Sequence, residues 1–430
     1  MTIFQLLGLV TTIIALFGYI NHRFIRLPDT LGITAVGLVV STVLVLMGKH
    51  EPRAIHWAQQ VIASIDFSEV VFHGLLPLLL FAGSLHVNIT EIAKEKGPIL
   101  VLATVGVAVS TAVVGFGLHY VLAMVGIQIG LVYCLLFGAL ISPTDPIAVM
   151  SVLKKVGVSK SLETKISGES LFNDGTGVVA YMLLLGVATS SSMPTVTDIG
   201  MLLIKEVIGA VLLGLVVGYG AVMLLRGVDS YPVEILITLA LATGGYALAE
   251  LAHVSAPLAV VIMGLVMGNL GAAKAMSEKA KVHLFNFWEL LDELLNLLLF
   301  GLIGLQVLAL NVSIRHLWVG ALAILVVLAA RWISVAIPLT VMARFRSFAP
   351  HAVKILTWGG LRGGISIALA LSLPKFEGRD LLLGATYVVV LFSLLVQATS
   401  LSKLLRRLSA CPPALPVYKK AASVTDDVTS

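Results

Sequence analysis

Charge is what this chain has least of. Only 12% of its 430 residues are Asp, Glu, Lys or Arg, against 58% hydrophobic residues. A soluble protein carries about 25% charged residues. So few charges cannot cover a surface in water, which excludes a soluble globular fold. Cysteine is nearly absent too. Cys134 and Cys411 are too few for a disulfide framework, and neither stands at metal-ligand spacing. No GxxxxGK[ST] stretch occurs, so ATP is not expected to drive this chain, and nothing calls for a cofactor. The net charge of +5 comes from basic residues spread among the loops, which argues against a nucleic-acid partner. The first apolar run, IFQLLGLVTTIIALFGYI, has no Lys or Arg before it, and Arg23 and Arg26 follow it. That polarity is wrong for a cleaved signal peptide, so the run is expected to stay as a span.

What the chain does have is long apolar runs, the mark of an all-α polytopic membrane protein. Thirteen transmembrane helices are expected, at 3–20, 27–47, 68–87, 98–123, 128–153, 167–187, 198–225, 231–249, 254–270, 283–310, 314–342, 351–373 and 380–404. Residues 1–405 then form one transmembrane domain, and 406–430 a short polar tail. Loop charges set the orientation. Twenty Lys and Arg fall after odd-numbered spans or in the tail, and five on the other side. That places the N-terminus outside and the C-terminus in the cytoplasm of a cell inner membrane or plasma membrane.

A charge at bilayer depth costs about 2.5–3.5 kcal/mol or more, so each one inside a span is a candidate for function. Asp145, Asp174, Arg331 and Arg362 stand out, with Glu169 at the edge of the set. Counted from Lys154, Lys165 and Lys354, the residues Asp145, Asp174 and Arg362 lie about 12–14 Å deep on one side. They point to one shared polar centre. Asp145 sits in SPTDP, between Pro143 and Pro146. Two prolines should open the helix there, and open backbone is tolerated in a membrane only inside protein or beside a wet cavity. Carbonyls freed near Thr144 could then face a small cation. WGGLRGGIS does the matching job in the twelfth span with Gly359, Gly360, Gly363 and Gly364. If spans 1–6 and 8–13 are inverted repeats (about 1–187 and 231–405, joined by 198–225), both interruptions fall in the fifth helix of their half. That pattern marks a midplane ion site in a secondary transporter. In GESLFNDG, Ser170 and Asp174 share one helix face, and Glu169 and Asn173 the neighbouring one. Asp174 can point at the opened fifth span, and Glu169 elsewhere, toward an arginine.

SPTDP, GESLFNDG and GGLRGGIS, in this order and on these spans, resemble the NhaP/sodium–proton-exchanger branch of the monovalent cation:proton antiporters. The resemblance covers about 1–405. It implies a 13-helix fold of inverted repeats, a homodimer in the lipid membrane, and exchange of Na⁺ (or Li⁺ or K⁺) for H⁺ in pH homeostasis. By motif it implies Asp174 as the carboxylate that carries cation and proton, with Asp145, Thr144, Ser170 and Asn173 around it. Na⁺ would lie at Asp174, Asp145, Thr144 and Ser170. The Asn173–Asp174 pair is associated with electroneutral exchange. The family also pairs Glu169 with Arg331, whereas the depth count favours Arg362 as the partner. Relatives often carry an acidic residue in span 3, where this chain has Ala82, so no ligand is expected from that span.

The expected chemistry is an ion antiporter, not an enzyme. A K⁺/H⁺ antiporter of the same fold is the serious alternative. An intramembrane aspartyl protease is remote, because FNDGTG is not its GxGD-type motif and SPTDP has no use there. One further acidic stretch, WELLDELLN, puts Glu289, Asp292 and Glu293 on one helix after Lys279 and Lys281. An interfacial, salt-bridged face is the expectation there, ahead of an ion-entry funnel.

Overall fold

The computed structural model describes residues 2–47, 58–62, 64–156, 160–189, 196–309, 313–346, 348 and 350–409. The loop with Lys49 and Arg53 and the tail after residue 409 lie outside the described residues. Among the described residues every element is helical and no strand occurs. Eleven helices are long and apolar enough to cross a membrane: α1 (Phe4–Ile25), α2 (Asp29–Met47), α3 (Phe67–Leu85), α4 (Ile89–Met124), α7 (Lys160–Thr189), α8 (Gly200–Leu225), α9 (Tyr231–Leu251), α10 (Ala256–Lys274), α11 (Glu278–Ala309), α12 (Ile314–Met342) and α15 (Arg379–Leu408). The runs expected at 128–153 and 351–373 are each broken in two: α5 (Leu131–Ile141) and α6 (Ile147–Val156), then α13 (Ala352–Trp358) and α14 (Gly364–Leu371).

The boundaries follow local chemistry. Pro232 and Pro257 stand in the first turns of α9 and α10, where a missing N–H costs nothing. Asn88 caps α4 by accepting the Thr90 and Glu91 amides. That cap carries α4 back through AKEKG, which the hydropathy pattern had placed before the span. Close crossings use glycine. A side chain on Gly138 of α5 would strike the Thr111 carbonyl of α4, and one on Gly268 of α10 the Leu85 carbonyl of α3. In lipid, small residues let helix backbones approach in this way.

The helices pack as two groups that meet at α7, at α11 and where α3 touches α14. In one, α4 lies against α5, α7 and α12, and α12 packs on α13 and α15. In the other, α10 lies against α3, α8 and α9, while α2 packs on α1 and α11. Both interrupted pairs belong with the first group. α14 touches α5, α7 and α11, so the two breaks come face to face inside the protein.

Candidate ion-binding site

The first break runs over Ser142–Pro146. Two of its five residues are prolines with no N–H to satisfy. The Ser142 amide closes on the Ala139 carbonyl at 3.2 Å. The Thr144 amide donates to Asn173 Oδ1 at 3.2 Å, and the Asp145 amide to the Leu361 carbonyl at 2.8 Å. The next amide, Ile147, donates to Asp145 Oδ1 at 2.9 Å, which caps α6. Every donor of the opened segment therefore has a protein partner, as a membrane interior requires. The Asp145–Leu361 bond ties one break directly to the other.

The second break, Gly359–Gly363, brings in Arg362. Its backbone amide donates to Ser393 Oγ at 2.8 Å, at the start of a π-turn over Ser393–Gln397 of α15. Its Nη1 donates to the carbonyls of Ser142 at 2.5 Å and Pro143 at 3.0 Å. Two carbonyls that the sequence left open for a cation are thus held by a fixed guanidinium. Two glycines permit this approach. A Cβ on Gly363 would stand 2.6 Å from Asp145 Oδ2, and one on Gly360 would strike the Arg331 side chain. Gly359 closes the last turn of α13 by donating to the Ile355 carbonyl at 2.8 Å. Gly364 is already the first residue of α14 and packs on Leu299.

α7 supplies the third wall. Asn173 donates through Nδ2 to Thr144 Oγ1 at 2.7 Å while it accepts the Thr144 amide. Both ends of this amide are committed to pinning Thr144, so Asn173 acts as a positioning residue. Ser170 Oγ lies 3.1 Å from Thr144 Oγ1. Thr176 reaches across to the Ala103 carbonyl at 2.5 Å, which a π-turn over Leu102–Gly106 of α4 presents. These bonds fix α7 against α4 and α5 on either side of Asp174. Asp174 itself is 8% exposed. Among the described residues no donor or basic side chain pairs with it, and the charge that acts on it is the Asp145 carboxylate. Two carboxylates therefore share a site in the protein interior. Two like charges in one buried place are unfavourable unless a proton or a positive charge offsets them.

Glu169 points away from this pair. Its carboxylate takes both arms of Arg331, at 2.5 and 3.0 Å, and Arg331 also donates to the Leu356 carbonyl at 3.2 and 3.3 Å. The partner is Arg331 and not Arg362. The depth count failed because Lys165 is no surface marker. It is 4% exposed, bound to Glu95 at 3.2 Å and to Ser161 at 2.6 Å. Lys165 therefore does not mark where α7 leaves the membrane, and a depth counted from it says nothing about which arginine Glu169 meets.

The sequence reading missed the hydroxyls behind the break. Ser142 Oγ donates to the Gly138 carbonyl at 2.6 Å and stands 3.0 Å from Ser110 Oγ and 3.4 Å from Thr111 Oγ1. Adjacent Ser and Thr in an otherwise apolar run were the signal available. It also misjudged Asp292, which does not lie on a salt-bridged face but within electrostatic reach of Asp145.

The chain is similar to known proteins along most of its length. The family model described as "Sodium/hydrogen exchanger, transmembrane" matches residues 12–407. The chain belongs to the sodium/hydrogen exchanger family. This exchanger is 47% identical over 418 residues to the Na(+)/H(+) antiporter NhaP of Pseudomonas aeruginosa, covering 95% of this chain and 98% of that one. It is 34% identical to the Na(+)/H(+) antiporter NhaH of Halobacillus dabanensis, over 94% of this chain and 97% of that one. Its fold is similar to that of the sodium proton antiporter MjNhaP1 of Methanocaldococcus jannaschii at pH 8, with a TM-score of 0.71 and 20% identity, covering 94% of this chain and 97% of that one.

Proposed function

We propose that this multi-pass membrane protein exchanges one Na⁺ for one H⁺ at Asp174, by alternating access. One observation carries the reading: a buried carboxylate beside a second carboxylate, with no donor or basic partner of its own among the described residues. A proton or a small monovalent cation can each supply the missing positive charge, and neither can do so while the other is bound. Competition for one oxygen pair is therefore the coupling. The hard oxygens of Asp174, Asp145, Thr144 and Ser170 suit an alkali cation, and Asn173 and Arg362 hold the opened backbone in place. Because H⁺ leaves as Na⁺ arrives, the loaded site has the same charge in both states, and the exchange is electroneutral. The names of the relatives support Na⁺ over K⁺.

Counting each interrupted pair as one crossing turns the eleven continuous helices into the thirteen expected from hydropathy. An odd count with the observed loop charges puts the N-terminus outside and the C-terminus in the cytoplasm. The proposed arrangement is two inverted six-helix repeats, with α8 as connector and a homodimer as the working unit. The group that carries both breaks would move against the other group. Reconstituted protein tests the site directly. Wild type should move protons when Na⁺ or Li⁺ is added, and Asp174→Asn should abolish the signal. Exchange that persists in that variant contradicts the assignment.

A further inference from the structure

The acidic stretch on α11 does not behave as a surface face. Lys281 pairs with Glu278, at 2.5 Å, and not with the carboxylates ahead of it. Among the described residues no Lys or Arg stands within ion-pair distance of Glu289, Asp292 or Glu293. Glu289, Asp292, Glu293 and Asn296 fall at i, i+3, i+4 and i+7, which puts them on one side of the helix. Along that side the exposure falls: Glu289 and Glu293 are exposed, Asp292 is half-buried, and Asn296 is 2% exposed. Asn296 stands one turn from Asp292 on that face and acts on its carboxylate, and Asp292 is an electrostatic neighbour of Asp145. Asn296 Oδ1 is buried and accepts no hydrogen bond among the described residues. A buried acceptor with nothing to accept from is costly, and a cation would satisfy it.

We propose that Asp292 and Asn296 form a second, outer position for the transported monovalent cation, from which it is handed to Asp145 and Asp174. The inference rests on the exchange reading above. It adds a staging site on α11, outside the helices that carry the two breaks. The ligands are of the right kind: one carboxylate oxygen, one amide oxygen, and the Asp145 carboxylate ahead. Among the described residues no Lys or Arg pairs with these groups to compete. Glu289 and Glu293 stand on the same face and are exposed, so negative charge runs along α11 from its exposed part toward the buried pair. Such a row raises the local cation concentration and the rate of arrival.

The test is a KM measurement in proteoliposomes, with Na⁺ as the probe and internal pH as the readout. Asp292→Asn should raise the apparent KM for Na⁺ about fivefold, the scale of one unit charge acting through partly hydrated surroundings. The loss should fall on KM more than on turnover, and Asp292→Glu should restore KM. Asn296→Ala should raise KM as well, which keeps the proposal testable if Asp292→Asn does not fold. The difference between wild type and Asp292→Asn should shrink at high ionic strength, as charge-based recruitment is screened; a merely structural defect would not shrink. Unchanged KM in the folded variants, or a loss confined to turnover, overturns the staging site. Wild-type protein that moves no protons in response to any alkali cation overturns the exchange reading instead, so the two failures are distinguishable.

Discussion

At the scale of single residues, the five charges around the two breaks do three different jobs. Glu169 and Arg331 neutralise one another, and the bidentate geometry with the Leu356 carbonyl satisfies most of their donors and acceptors. Breaking such a pair leaves one charge buried alone, at a cost of about 3–5 kcal/mol. Glu169→Gln should therefore lower the melting temperature of the purified protein in detergent. Replacing both residues together with apolar ones of similar volume should recover much of the loss. An unchanged melting temperature in the single variant would show that the pair bears no load. Arg362 has a different task. It occupies the Ser142 and Pro143 carbonyls, so the proposed cation is left with the oxygens of Thr144, Asp145 and Asp174. Asp145 and Asp174 are the pair with no fixed counter-charge among the described residues. This division was partly legible in the sequence, because a charge in an apolar run declares itself. Which arginine meets which acid was not legible from depth, since Lys165 turned out to be buried against Glu95.

At the scale of elements, the two interruptions work as one unit. Pro143 and Pro146 announced the first, and the glycines around Arg362 the second. Their mutual dependence was not in either pattern. The Asp145 amide reaches the Leu361 carbonyl at 2.8 Å, a contact across more than half the chain that no local periodicity encodes. The same holds for α11, where Asp292 looked like an interfacial residue because its helix begins among lysines. Its face is set by how α11 packs on α14, which hydropathy does not see. Gly363 tests the unit as a whole. Gly363→Ala would place a methyl 2.6 Å from Asp145 Oδ2 and force that carboxylate or the α14 start to move. The expected result is folded protein with a clearly raised KM for Na⁺. Wild-type KM would mean that Asp145 need not stand where the two breaks meet.

At the scale of the whole molecule, the helices that hold the breaks pack with α4 and α12 in one group and the others in a second, joined through α7, α11 and the contact of α3 with α14. Hydropathy alone gave the number and place of the continuous helices closely, because lipid demands long apolar runs. It erred at α4, where the Asn88 cap extends the helix into a charged segment. It had no way to give the grouping, which depends on small-residue crossings such as Gly138 with Thr111. For the molecule to couple two ion flows, the cation and the proton must be alternatives at one place. Calorimetry of Na⁺ binding in buffers of different ionisation heat counts the protons released per cation bound. Begun at a pH where the site is protonated, wild type should release about one proton per Na⁺, and Asp174→Asn none. Na⁺ binding with no proton release, or undiminished release from Asp174→Asn, would contradict the account.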